Sequence, residues 1–226
     1  MIFVLMALLI IVFSFAFLSF VAQSKMQFRT ACTNDSIELQ KKIIVAEKTL
    51  FALNPVSTAL KIAYHILELE RLAALANPEL LPIIEAKIQQ VTAARQALDK
   101  SQKAIIRAAE LIIKVEIARS TVAMNKTAYE TRDRWSYFLQ SVFIVKPDRI
   151  PKFAVQPDSD DIASNYGLTK GYKQEQMVAY NWQLLFFTKN DVQQVLESRG
   201  LFEMACGATA DKDDKKWLVE IRKDKF

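Results

Sequence analysis

Glycine is nearly missing from this chain. Its 226 residues hold four, Gly167, Gly171, Gly200 and Gly207, so the first 166 residues contain none. Because glycine serves tight turns, bulges and left-handed backbone, that gap excludes a turn-rich β fold there and points to long helices. Histidine is scarcer still, with His65 alone. A multi-histidine metal centre within one chain is thereby excluded, and any Ser-His or Cys-His catalytic pair would have to use this one residue. His65 falls on a polar helical stripe with Lys61 and Glu68, where interaction with the carboxylate three positions on is its expected role. No phosphate-cradling glycine loop, dinucleotide pattern, nucleophile elbow or paired-cysteine zinc motif occurs. The expectation is a protein without catalytic residues, cofactor or small-molecule substrate.

Charge is absent from the first 24 residues. From Ile2 to Val21 only Ser14 and Ser19 interrupt an apolar run, and about 20 helical residues match a bilayer core of roughly 30 Å. A secretory signal has a basic start and a shorter apolar core. Ala22-Gln23-Ser24 offers a small-x-small cleavage site, but the missing basic start and the length favour an uncleaved anchor in contact with membrane lipid. Leu9, Phe13, Phe17 and Phe20 share one face of that helix and form its candidate packing face.

Orientation is contested by two signals. Lys25, Arg29, Lys41 and Lys42 follow the span and none precede it, which by the positive-inside rule holds the body in the cytosol. Cys32 and Cys206 are an even pair, permissive for a disulfide in an oxidising compartment, although two separate buried thiols fit equally well. The formal charge of +5 arises from 30 basic and 25 acidic residues. They are interspersed, so no nucleic-acid partner is expected.

Prolines punctuate what glycine does not. Asp35 and Glu38 have capping-box spacing, and Leu39, Ile43, Ala46, Leu50 and Leu53 form a stripe up to Asn54-Pro55. With no Pro or Gly near Cys32, this segment and the anchor are alternatively one continuous helix to about residue 53. Further helices are expected at about 57–76 and 79–142. In the last, Ile84, Ile88, Val91, Ala94, Leu98, Ser101, Ile105, Ala108, Ile112, Val115, Ala118 and Val122 recur at coiled-coil spacing. This is the candidate helical seam.

After Pro147, Pro151 and Pro157 the signals turn β-like. Val178, Tyr180, Trp182, Leu184 and Phe186 alternate on one strand, Asp191 caps a short helix over Val192 to Ser198 that Gly200 ends, and Leu201 to Ala205 and Trp217 to Ile221 flank a polar turn. Asp158, Asp160 and Asp161, and again Asp211, Asp213 and Asp214, supply oxygens a calcium ion could use, but neither run has the EF-hand spacing. A cap by Asp160 or Asp161 on a helical turn before Ile162 accounts for the first more simply, and a solvated hairpin turn for the second. Lys212, Lys215, Lys216, Arg222, Lys223 and Lys225 around Trp217 read as a lysine-protected edge strand. The expected organisation is an anchor at 1–31, a helical region at 32–145 and a small module at 146–226. The fold class is α+β, mainly α, with an N-terminal transmembrane helix, a long coiled-coil-like middle and a small C-terminal antiparallel sheet.

An apolar N-terminal helix that continues into an amphipathic one, followed by an antiparallel sheet, resembles the architecture of pilins and pseudopilins. The alanine-rich, glycine-poor helices look most like minor components of tight-adherence (Tad) pili, the TadE and TadG types. That resemblance implies a single-pass protein of the bacterial inner membrane with a periplasmic body. It would assemble with other pilus or secretion-machine proteins by helix packing, without catalysis. No motif carries it, and Leu5 stands where pilins usually have glutamate.

Overall fold

The computed structural model describes residues 2–77, 79–134, 139–142, 145–186, 203–213 and 216–221. Its first element, α1, is a single helix over Ile2–Phe51, about 75 Å long. Nothing in those residues can break it, since the first proline is Pro55. The expected break near residues 32–35 gives way to the continuous alternative. Asp35 is no cap here: the Ser120 hydroxyl reaches it from another helix, and Glu38 pairs with Lys42 at 3.3 Å.

Helix α2, Asn54–Ala74, follows with Pro55 in its first turn, where a missing N–H costs nothing, and Leu53 before it keeps right-handed helical angles. Helix α3, Leu81–Arg134, then returns antiparallel along both. The Asp35 to Ser120 hydrogen bond, the Lys42 to Glu116 ion pair at 2.7 Å and the Arg95 guanidinium 4.8 Å over the Tyr64 ring prove the direction, because the α3 partner number falls as the other rises.

Helix α3 stops eight residues short of the expected 142. Strand β1, Leu139–Val142, pairs instead with a later strand, so ladder hydrogen bonds override the helical spacing. The other strands are β2 (Lys146–Arg149), β3 (Val155–Pro157), β4 (Tyr166–Leu168), β5 (Val178–Phe186), β6 (Glu203–Asp213) and β7 (Lys216–Ile221), with the one-turn helix α4 at Tyr172–Glu175. The main antiparallel sheet runs β1-β5-β6-β7, with β2 also on β5, while β3 and β4 pair separately. The hairpin expected around the polar turn is present, its first strand reaching to Asp213 rather than ending at Ala205. The helix expected at Val192 to Ser198 and the residues Gly200, Asp214, Lys215, Arg222, Lys223 and Lys225 lie outside the described residues.

The sheet lies against α1 and α3. Phe28, Leu39 and Ile43 of α1, Ile113, Ile117 and Met124 of α3, and Val178 and Tyr180 of β5 form one buried cluster. A smaller cluster joins Ile44 to Ala154, Tyr172 and Ala210. Gly207 is needed where β6 crosses β5, because a Cβ there would collide with the Val178 carbonyl oxygen.

The buried line of α3 corrects the expected seam. Leu98 is buried and Ile84, Ile88, Val91 and Ile105 are half-buried, but Ile112, Val115 and Val122 are 38, 55 and 70% exposed. The core line instead passes through Arg95, Leu98, Gln102, Ala109, Ile113, Ile117, Ser120, Met124 and Ala128. From Ala109 onward its steps follow an eleven-residue repeat, which advances faster along the chain than a seven-residue one. Reading a heptad through apolar residues alone therefore falls progressively out of phase.

Candidate functional site

Two exposed apolar surfaces stand out among the described residues: the start of α1, residues 3–16, and the outer face of α2. From Phe3 to Ala16 every side chain of α1 is exposed. Leu9 and Phe13 of the candidate packing face are 59 and 56% exposed, whereas Phe17 is half-buried and Phe20 is buried in the main cluster. The face is thus divided, its upper end already packed against the body. By length and composition this helix can cross a membrane.

At the emergence of the span, charge and covalent structure begin together. Lys25 is the first charged residue, and seven positions later Cys32 forms a disulfide with Cys206 of β6. The Cα atoms are 6.3 Å apart and both residues are buried. The sheet is therefore tied covalently to the anchor helix about two turns beyond that first charge. No protein family, characterised protein or solved structure matches this chain. Its surfaces have to be read from their own chemistry.

A row of polar side chains rivets the helices to the C-terminal module. Asn54 grips Tyr166 by two reciprocal hydrogen bonds, Nδ2 to the carbonyl at 2.9 Å and backbone N–H to Oδ1 at 3.0 Å. Asn125 grips Val145 in the same way, at 3.3 and 2.8 Å. The Arg95 guanidinium donates to Asp161 at 2.6 Å and to the Ile162 carbonyl at 3.1 Å, and Gln102 donates to the Ser164 carbonyl at 3.0 Å. Ser57 donates to the carbonyl of Ala163, whose φ of 56° turns the loop back toward the helices.

Glu47 of α1 is a fully buried acidic side chain. It accepts hydrogen bonds from the Tyr172 hydroxyl at 2.8 Å and Gln176 Nε2 at 2.6 Å. Burial pushes its carboxyl up to about 7, against the opposing pull of the Tyr172 bond and Lys212. Burial, and next the Glu47 charge, push the Tyr172 hydroxyl up in turn. Tyr180, buried and reached by Ser120, is pushed up to about 12. The Gln40 side chain also reaches this cluster, its Nε2 donating to the backbone carbonyls of Gln176 and Ala208. This cluster stitches α1 to α4 and β6.

The acidic runs have structural partners. Asp161 pairs with Arg95, and Asp211 pairs with Lys173 at 3.0 Å, which holds its carboxyl below the usual range. Asp158 accepts from the Ser159 hydroxyl, and Asp160 is exposed. Among the described residues no group of three or more His, Cys, Asp or Glu is placed to hold a metal ion. Asp214 and the side chain of Asp213 lie outside the described residues. His65 does not engage Glu68 as expected. Glu68 pairs with Arg71 at 2.8 Å, and exposed His65 lies edge-on to Tyr64.

What sequence reading missed was the buried polar set, Gln40, Glu47, Arg95 and Gln102. Their positions at helical spacing beside apolar residues were the available signal, since a polar residue on an otherwise apolar face is the exception that demands a partner.

Proposed function

We propose that this chain is a membrane-anchored, non-enzymatic assembly component, of the minor pilin-like kind, in a bacterial pilus or secretion machine. One observation carries the reading: a single uninterrupted helix whose apolar start, residues 3–16, is exposed and whose remainder is packed under an antiparallel sheet. Such a helix holds the body at the bilayer and offers the same surface to neighbouring apolar helices. Membrane lipid and other membrane proteins are its partners.

The disulfide between Cys32 and Cys206 supports a body in an oxidising compartment, the periplasm. The lysines and arginines after the span favour the opposite orientation. A reporter fused after residue 226 decides between them. Activity of an oxidation-dependent periplasmic reporter supports the pilin-like reading, and silence beside an active cytosolic reporter overturns it. The cytosolic outcome would favour a tethered scaffold, which the long α2 and α3 hairpin suits.

A further inference from the structure

The inner side of α2 packs on α3: Ser57 and Ala74 are buried, and Leu60, Tyr64 and Leu67 are half-buried. Its outer side is not polar. Ile62, Ile66 and Leu69 are 54, 50 and 67% exposed, and they belong to a longer exposed line, Pro55, Ala59, Ile62, Ile66, Leu69, Ala73 and Ala76. Within the helix, from Pro55 to Ala73, the steps alternate four and three over about 27 Å. That is the spacing of core positions in a two-stranded coiled coil, and here it faces away from the protein's own core.

We propose that α2 pairs in parallel with α2 of a second copy of this chain along that line. Two arguments select a second copy. The first is the chemistry of the flanks, an imidazole N–H donor facing a carboxylate acceptor. With Ala59, Ile66 and Ala73 at one core position and Ile62, Leu69 and Ala76 at the other, a parallel pair sets each flanking residue against the one five positions on in its partner. His65 then meets Glu70 of the second copy, twice by symmetry, and both are exposed. The remaining flank contacts, Thr58 with Ala63 and Leu72 with Asn77, are uncharged, so no like charges oppose the pairing. The second is orientation. Copies anchored by their N-terminal helices in one membrane present α2 pointing the same way, and alanines in the core line let the helices approach closely. The proposal stands apart from the pilin-like reading, since two copies can pair along α2 whichever compartment holds them.

The test uses the full chain in mild detergent, with mass measured by light scattering across protein concentration and fold monitored by circular dichroism. Wild type is expected at twice the chain mass of 25.8 kDa. Leu69→Asp, exposed and outside the fold's core, is expected at single mass with unchanged helicity. His65→Glu sets like charges against Glu70 and is expected to weaken dimerisation about tenfold, an effect of the size expected for two repulsive pairs. Adding Glu70→Lys is expected to restore it. A single-mass wild type, a Leu69→Asp protein that remains dimeric, or a double variant no better than His65→Glu alone each overturns the proposal. The last result would mean an antiparallel or differently seated pair, because only the parallel register joins positions 65 and 70.

Discussion

Glu47 and Tyr172, 125 positions apart in sequence, share a 2.8 Å hydrogen bond in the seam between α1 and α4. The Glu47 carboxyl titrates near 7 in the folded protein and near 4.5 when unfolded. Between those values the folded state holds the extra proton, so this group's contribution to stability is complete below about pH 4.5 and is lost as pH rises to about 7. The difference amounts to about 3 kcal/mol. Glu47→Gln removes the titration while keeping the shape, so its denaturant midpoint is expected to vary less with pH over that window and to exceed wild type at pH 8. Parallel pH profiles of the two proteins that superimpose would sink this assignment.

The disulfide joins residues 174 positions apart. Loss of such a constraint typically costs about 2–5 kcal/mol. Reductant is expected to lower the thermal midpoint of wild type and to leave Cys32→Ser/Cys206→Ser unchanged at that lower value. A double variant as stable as the oxidised protein would contradict it.

Gly207→Ala places a methyl group against the backbone of Val178 and Ala179. Backbone cannot yield as a flexible side chain does, so a loss of about 1–3 kcal/mol is expected in urea unfolding. An unchanged midpoint would show that β5 and β6 tolerate separation at this crossing.

Arg95 is 6% exposed, and its guanidinium holds both Asp161 and the Ile162 carbonyl. Arg95→Met keeps the length and loses both bonds, with an expected cost of about 1–3 kcal/mol. Hydrogen exchange at residues 158–165 is expected to quicken before exchange in β5. Equal protection in both proteins would mean that Gln102 and Ser57 suffice to hold the loop.

Leu9 and Phe13 lie in the exposed start of α1. Leu9→Arg with Phe13→Asp is expected to add about 6 kcal/mol to insertion. The protein should move from the alkali-resistant membrane pellet to the supernatant. Retention in the pellet would place the anchor elsewhere.

Much of this architecture is legible without a structure, and the exceptions have physical reasons. The span is readable because length and uniform apolarity are properties of consecutive residues. Continuity of α1 is only one of two readings, because Asp35 and Glu38 have the spacing of a cap, although Ser120 of α3 meets the one and Lys42 of α1 the other. Ile84, Ile88, Val91, Leu98 and Ile105 of the heptad lie on the inner side, but Ala94 and Ser101 between them are exposed beside buried Arg95 and Gln102, and the pattern then fails at Ile112, Val115 and Val122. There the core line is carried partly by Ser120 and by the small residues Ala109 and Ala128, which a search for large apolar side chains passes over.

Local composition and spacing are enough to set the elements: a bilayer-length apolar helix, glycine-free helices bounded by proline, and a glycine-bearing antiparallel end. Which polar residues are buried and which apolar ones stay bare is a matter of how those elements meet. Glu47 reaches Tyr172 and Cys32 reaches Cys206 across more than a hundred residues of chain, while among the described residues α2 turns its regular apolar line away from the core. Periodicity reports that a helix has an apolar face. It does not report whether the chain itself covers it.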